Sequence, residues 1–339
     1  MSTLENSFLL RTQQFRTVAY GIALSIILPF IALVIYVNTA QMQFLSIDYP
    51  NWKYQQDFLG SHAGEHNDLI VLGDSRVMAG YDPLVANDIS SRNLSVGGAT
   101  AIEVYYILKK YLEHNTADNL ILSLSPQHVQ GMDVFWQRTV KFRFLSAQEL
   151  KRVFTDDAAT TAPYFADTQW PLIEYYRSYL PFAYRAELRN ALWQSRYSVN
   201  KAAYALNKQH KGLQFQGIAE RSDRIGREQK LSEIKAVPVL DIYLQKTAEL
   251  AKANNIQIFW YTAPINTPTC EALQPNYVPS FDEYLDSIES RFGFTILSRI
   301  GCWDPKYFGD RGQHVNPRGS TRNTKAMVDL LQDKLDLRR

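Results

Sequence analysis

The chain has 339 residues, of which 46% are hydrophobic and 21% are charged, and its formal net charge at pH 7 is +2. This length and apolar content are sufficient for a core in one large domain or two. The near-neutral charge and the lack of a zinc-finger, helix-turn-helix or RNA-platform pattern argue against nucleic acid as a partner.

The first predicted element is a transmembrane helix. Residues 18–37 carry no charge and are long enough to cross a bilayer core of about 30 Å. A cleaved signal peptide is the alternative, but its apolar run is usually only ~7–15 residues and no small-x-small cleavage site follows closely. Arg11 and Arg16 precede the span and no basic residue follows directly, so the positive-inside rule predicts a cytoplasmic N-terminus.

This orientation divides the chain into four parts. We predict a cytoplasmic N-terminus at 1–17, a membrane anchor at 18–38, a juxtamembrane connector at 39–68 and an extracytoplasmic domain at 69–335. The two cysteines, Cys270 and Cys302, lie on the oxidising side, where they form either a disulfide or two free thiols.

The connector contains the group His62, Glu65, His66 and Asp68, whose histidines would share one face of a helix and could bind a metal. The neighbouring Ser, Gly and Asn residues favour a polar loop instead. We therefore expect no metal and no cofactor.

The domain begins with three predicted strands, at 69–72, 92–96 and 119–124. A first crossover starts in 77–87, and a helix is predicted at 102–112 from its apolar spacing. Strands that alternate with helices are typical of an α/β fold with a doubly wound parallel sheet.

The pattern changes at about 133–237, where long helical stretches rich in aromatic and basic residues are predicted. A segment of this length exceeds an ordinary crossover and indicates a helical insertion over the sheet edge. Its basic residues either form a solvated face or bind an anionic polymer or lipid headgroups. Helices at 240–253, 281–291 and 324–335 and strands at 256–261 and 294–297 then complete the predicted sheet.

Three loops at the ends of these elements carry residues suited to nucleophilic catalysis. Ser75 follows the first strand within Gly-Asp-Ser, Gly98 follows the second, and Asp310 and His314 precede the closing helix. Because parallel strands place ligands at their carboxyl ends, we expect these residues at one edge. A histidine can take the serine proton, and a carboxylate can orient its ring.

These blocks resemble the SGNH, or GDSL-type, hydrolase and acyltransferase superfamily. The resemblance implies Ser75 as nucleophile, His314 as base, Asp310 as its partner and Gly98 as a backbone donor to the oxyanion. Asp310 and His314 are four residues apart, whereas the family usually spaces them by three.

The third block departs further from the family pattern. Where the family has Gly-x-Asn-Asp, this chain has Ser-Pro-Gln-His. Gln127 is therefore the candidate second oxyanion donor, and His128 could line the pocket. Arg76 either meets an anionic substrate or pairs with an acid such as Asp82, and Asp74 is expected to brace the turn.

With its N-terminal helix, the chain is similar to the membrane-anchored SGNH partners of membrane-bound O-acyltransferases, among them the D-alanylation (DltD-like) proteins of lipoteichoic acid synthesis. This implies a bacterial cytoplasmic membrane protein whose extracytoplasmic domain acylates hydroxyls of a cell-envelope polysaccharide, with acetyl as the expected group and a polytopic O-acyltransferase as partner. An esterase or deacetylase using the same site, and a non-catalytic glycan-binding or scaffold protein, are the alternatives.

Overall fold

The structure, a computed structural model, describes residues 2–132, 134–155 and 170–336. It is an α/β protein with an apolar N-terminal helix, α1 (Ser2–Thr39). Within α1, Gln14–Thr39 is long and apolar enough to cross a membrane. The predicted anchor at 18–38 lies inside this stretch.

The core is a five-stranded parallel sheet. Its strands in chain order are β1 (His66–Gly73), β2 (Ser91–Asn93), β3 (Thr116–Ser123), β4 (Gln257–Tyr261) and, after a short β5 (Ile265–Asn266), β6 (Thr295–Ser298). They are arranged in the order β2-β1-β3-β4-β6. All five sheet strands overlap the strands predicted from the sequence. A separate two-stranded sheet, which was not predicted, pairs β5 with β7 (Cys302–Trp303).

Helices connect and cover the strands. In chain order they are α2 (Tyr49–Leu59), α3 (Ser75–Gly80), α4 (Ala101–Leu112), α5 (Pro126–Gln130), α6 (Ala147–Thr155), α7 (Pro171–Arg177), α8 (Arg185–Trp193), α9 (Tyr197–Gln209), α10 (Pro238–Ala253), α11 (Thr267–Glu271), α12 (Tyr277–Phe292) and α13 (Pro317–Asp336). The first crossover, which was predicted to begin in 77–87, begins with helix α3, and this helix ends at Gly80.

Alternate residues of each strand pack into different cores. In β1, Ile70 and Leu72 join the cluster that contains α4, α10 and α12, whereas Leu69 and Val71 join the cluster that contains α3 and α13. This period of two is what a strand buried on both faces requires. The helices therefore lie on both sides of the sheet, as the predicted doubly wound arrangement demands.

The strand order reverses between β1 and β3, because β2 lies outside β1 while β4 and β6 follow β3. The chain leaves the carboxyl ends of β1 and β3 in opposite directions, which opens a crevice at this switch point. Ser75 follows β1 and Gln127 follows β3, so this topology brings both to the same crevice.

The predicted connector at 39–68 is integrated into the fold. Its helix α2 buries Trp52 completely, and the Trp52 indole N–H donates to the carbonyl of Gly97 at 3.3 Å. Val37, near the end of α1, is also fully buried in the core. No flexible tether therefore separates the apolar helix from the domain within these described residues.

The predicted helical insertion at 133–237 contains α6 to α9 in its described parts, while residues 156–169 lie outside the described residues. The final stretch, 210–237, includes a 3-10 turn at Arg227–Lys230 and runs beside the loop that carries His314. For example, the Ser222 N–H donates to the carbonyl of Pro305 at 3.0 Å. Gln216 and Arg227 of this stretch line the crevice that contains Ser75, so the insertion contributes residues to it.

Candidate active site

Ser75 is the first residue of α3, directly after β1. Gly73 is required at the strand end because a Cβ there would lie 1.9 Å from the Ser123 carbonyl oxygen. Asp74 caps the helix by accepting the Arg76 N–H at 2.9 Å. The sharp turn places the Ser75 side chain in the crevice beside the carboxyl end of the sheet.

His314 contacts Ser75 directly. The His314 Nε2 atom lies 2.8 Å from the Ser75 Oγ, and the His314 Nδ1 is hydrogen-bonded to the Asp310 carboxylate. The Asp310 carboxylate also accepts the His314 backbone N–H at 3.2 Å. The spacing of four residues therefore still allows the acid to orient the ring, and the imidazole is positioned to take the serine proton.

The environment keeps Asp310 ionised. Burial alone would raise the pKa of the Asp310 carboxyl, but the hydrogen bond and charge of His314 outweigh it and hold this pKa below its ordinary value. An ionised carboxylate at Nδ1 favours the tautomer whose Nε2 accepts a proton.

Gly98 lies on the same cavity and adopts a φ of +80°. A Cβ at this position would lie 2.4 Å from the Val134 Cγ2. Within the described part of the chain, neither the Gly98 nor the Ser75 N–H donates to a backbone acceptor. These two groups are thus available to an oxyanion.

Asp74 has a larger role than bracing the turn. Its carboxylate accepts the Ser125 N–H at 2.7 Å and is bonded to the His128 Nδ1 at 2.7 Å. Burial would raise the pKa of the Asp74 carboxyl, but the hydrogen bond and charge of His128, with the charge of Arg76, lower it well below its usual range. The acid next to Ser75 therefore connects the ends of β1 and β3.

Gln127 and His128 both line the cavity. Gln127 makes no side-chain hydrogen bond among the described residues, so its amide is free to meet a ligand. His128 is fixed by Asp74 at one nitrogen and is still partly exposed.

Arg76 also lies on the cavity wall, but its charge already has a partner. Its guanidinium is buried and pairs with the carboxylate of Glu228, which also accepts the Gln313 amide at 2.7 Å. Asp82, the acid suggested by the sequence, is instead paired with His210 at 3.1 Å. Burial lowers the pKa of Arg76.

Several residues of the cavity were not singled out from the sequence. The cavity has a volume of about 290 Å³ and includes Asp48, Arg138, Gln216, Arg227 and Arg311. Arg138 pairs with Asp48 at 2.9 Å, whereas Arg227 and Arg311 are exposed and have no acidic partner among the described residues. The sequence does not distinguish these residues from the many other polar and basic residues of the chain, and only the fold brings them to the cavity.

The group that was considered for metal binding does not form on a helix. Glu65 is bonded to Arg92 at 2.7 Å, and His66 begins β1 beside Asp68 and Asp118. The two cysteines are joined as a Cys270–Cys302 disulfide, which links α11 to β7.

The chain was also compared with known proteins. No protein-family model matches it, and a search of curated proteins found no significant match.

Proposed function

We propose that this chain is a membrane-anchored, serine-dependent O-acyltransferase of the SGNH type, whose acceptor is a hydroxyl of a cell-envelope polysaccharide. The observation that carries the proposal is the alignment of Ser75, His314 and Asp310, with the Ser75 Oγ 2.8 Å from the His314 Nε2. Such a chain of contacts is the usual means by which proteins activate a serine.

The acylation step uses His314 as a general base. The Ser75 Oγ attacks the donor carbonyl while its proton passes to the His314 Nε2, and the N–H groups of Ser75 and Gly98 stabilise the oxyanion. When the tetrahedral intermediate collapses, the bond to the leaving group breaks and His314 returns the proton to that group. An acyl group, with acetyl as the expected case, then remains on Ser75.

The transfer step repeats the same chemistry with the acceptor. A sugar hydroxyl attacks the acyl-enzyme and loses its proton to His314, which then protonates the departing Ser75 Oγ. Gln127 stands where the family places an asparagine amide and serves as the further oxyanion donor. Water in place of the sugar would give an esterase, so the two activities differ only in the acceptor.

The location of the domain follows from α1. We infer that α1 crosses the bacterial cytoplasmic membrane once, with Arg11 and Arg16 on the cytoplasmic side and the α/β domain outside. An acyl donor made in the cytoplasm must cross the bilayer before it reaches Ser75, and one helix provides no path for it. A polytopic O-acyltransferase is therefore the partner that the proposal requires.

The first test is labelling with a serine-directed fluorophosphonate, followed by peptide mass spectrometry. Full-length protein in detergent is used, because truncation after α1 would remove the buried Val37. We expect labelling at Ser75 that is lost in Ser75→Ala and reduced at least about 100-fold in His314→Ala, the usual contribution of a general base. Ser46→Ala provides a control at another serine.

Absence of labelling at Ser75 in the folded wild type would contradict an activated serine. If labelling occurs, an acyl-enzyme prepared with an activated ester is mixed with glycan oligosaccharides. Acyl transfer to the sugar faster than to water supports the transferase, whereas release to water alone would identify an esterase.

A further inference from the structure

The apolar helix does not leave the domain as an isolated stalk. Phe30 of α1 contacts Phe182, with their ring centroids 6.0 Å apart, and the Asn38 side-chain amide donates to the Tyr179 carbonyl at 3.0 Å. Phe182 belongs to a short 3-10 helix, Pro181–Tyr184, between α7 and α8. This part of the insertion is thus packed along the side of the membrane-spanning candidate.

The depth of this contact can be estimated from helix geometry. Phe30 lies nine residues before Thr39, the last residue of α1, which corresponds to about 13 Å along the axis. The candidate span has 26 residues, whereas about 20 suffice to cross the hydrocarbon core. Even if the excess residues all stand outside the bilayer, Phe182 lies at the boundary of the core rather than in bulk water.

The same part of the insertion exposes large apolar side chains. Leu192 and Trp193 at the end of α8 are 83% and 87% exposed, and Phe182 is 56% exposed. Tyr176 at the end of α7 is exposed as well. Side chains of this kind on one continuous segment mark an interaction surface rather than a face in water. Tryptophan and tyrosine are the residues preferred at the membrane interface.

Basic residues alternate with these apolar ones. Arg185, Arg189 and Arg196 are exposed and form no ion pair with the described residues. Arg185 lies over the Phe182 ring, with its guanidinium carbon 5.8 Å from the centroid. Long basic side chains next to apolar anchors can reach anionic lipid headgroups, to which they are attracted electrostatically.

We propose that residues 176–196 form a lipid-facing platform that rests in the headgroup region of an anionic bilayer beside α1. Phe182, Leu192 and Trp193 insert at the boundary of the hydrocarbon core, while Arg185, Arg189 and Arg196 contact headgroup phosphates. The continuity with α1 selects the bilayer as the occupant of this surface. The proposal rests on the membrane anchoring proposed above but not on catalysis.

The platform also fixes the orientation of the domain. The Arg196 N–H donates to the Gln43 carbonyl at 3.1 Å, and the Asn200 amide donates to the Leu45 carbonyl at 3.0 Å. The first bond attaches the platform, and the second attaches the following helix α9, to the residues that follow α1. Asp48, nine residues after the end of α1, lines the active-site cavity, so the cavity is held in a fixed position relative to the bilayer.

The test uses full-length protein in anionic lipid nanodiscs. Both native cysteines are in the disulfide, so single cysteines can be labelled with the polarity-sensitive fluorophore NBD. The variants are Leu192→Cys on the platform, Leu24→Cys within α1 and Asp329→Cys on α13. Asp329 is a matched exposed control, because α13 covers the face of the sheet opposite to the core that contains Val37.

We expect NBD at positions 192 and 24 to emit at shorter wavelength than at 329 and to be quenched by doxyl lipids. Quenching at 24 but a water-like spectrum at 192 would overturn the platform and leave the anchoring intact, whereas no quenching at 24 would overturn both. In the 192-labelled protein, replacing Arg185, Arg189 and Arg196 by Gln should reduce the gain in quenching that anionic lipids give over zwitterionic lipids. An unchanged gain would contradict the role of the arginines.

Discussion

The His128 Nδ1 lies 2.7 Å from the Asp74 Oδ2, so the acid that precedes Ser75 holds a second histidine on the same cavity. His314 and Asp310 are joined through the same ring nitrogen. Two histidines that are each bonded to an aspartate through Nδ1 therefore line the cavity. Of the two, only His314 contacts the Ser75 Oγ.

The first prediction separates these two histidines. Because an ionised Asp74 accepts the Nδ1 proton, neutral His128 presents Nε2 as an acceptor, and we expect it to bind the incoming sugar hydroxyl. His128→Ala should therefore retain fluorophosphonate labelling of Ser75 within a few-fold. It should lower acyl transfer by about 100-fold, the lower limit for acid–base groups.

The measurement is single-turnover transfer from the acyl-enzyme, compared with the labelling rate of the same variant. His210→Ala is the control, since His210 is also paired with an acid, Asp82, but does not line the cavity. Equal losses in labelling and transfer for His128→Ala would mean that His128 only supports the Ser75 turn.

A second prediction concerns the two neighbouring glycines. Gly98→Ala introduces a methyl 2.4 Å from the Val134 Cγ2 at a φ of +80°, which costs about 1–2 kcal/mol from the backbone alone. We expect displacement of the Gly98 N–H and a labelling rate reduced about 100-fold, as for loss of one oxyanion donor.

Gly97→Ala is the matched control for this substitution. A Cβ at Gly97 would lie 3.4 Å from the Arg138 Nη1, an ordinary contact, and its φ is not positive. Thermal unfolding and labelling are measured for both variants. A Gly98→Ala protein that is folded and labels at the wild-type rate would exclude this N–H from the oxyanion site.

The parallel sheet was predicted from the sequence because its buried strands are short apolar runs separated by helical patterns. The beginning of α13 was not, although Asn316 accepts the Gly319 N–H at 2.9 Å as its cap and Pro317 is its first residue. Asn, Pro and Gly are typical of loops, but the first turn of a helix contains the same residue types. The sequence pattern alone therefore did not distinguish the two.

Helix α2 was overlooked for another reason. Its buried face includes Asn51 and Gln55, which the apolar periodicity does not count as core. The amide nitrogen of each has a distant partner, since the Asn51 amide donates to the Asn207 Oδ1 and the Gln55 amide donates to the Asn93 carbonyl, each at 2.9 Å. Glu228 is a similar case, because its partner Arg76 is remote in sequence. Such polar pairs depend on the tertiary structure alone.

A third prediction is a loss of stability in acid that depends on Asp74. Because the pKa of the Asp74 carboxyl is lowered in the folded state, ionised Asp74 stabilises the fold above its unfolded pKa of about 3.9. This contribution is lost as the pH falls below that value. The free energy of unfolding should then decrease by up to about 1.4 kcal/mol per pH unit for this group.

Asp74→Asn removes the titrating group and should flatten the dependence of the free energy of unfolding on pH below pH 4. It should also lower the stability at neutral pH. The measurement is chemical unfolding of the detergent-solubilised chain at a series of pH values. Asp329→Asn, at an exposed position on α13, is the control and should leave the slope as in the wild type. If the slope of the free energy of unfolding against pH is unchanged in Asp74→Asn, other carboxyl groups determine the loss of stability in acid.

The last prediction concerns the charge of the acceptor. Arg227 and Arg311 border the cavity without an acidic partner among the described residues, while Arg76 and Arg138 are paired with Glu228 and Asp48. Two free guanidinium groups favour a substrate that carries carboxylate or phosphate groups. Arg227→Gln and Arg311→Gln should each raise the KM for an anionic oligosaccharide about 3- to 10-fold, as for loss of a partly exposed ion pair of roughly 1 kcal/mol. The KM for a neutral oligosaccharide and the rate of Ser75 labelling should not change.

Arg224→Gln is the control, because Arg224 is exposed on the same segment but does not line the cavity. Added salt should raise the wild-type KM for the anionic oligosaccharide toward that of the variants. Equal KM changes for neutral and anionic acceptors would exclude recognition of the acceptor's charge by these arginines.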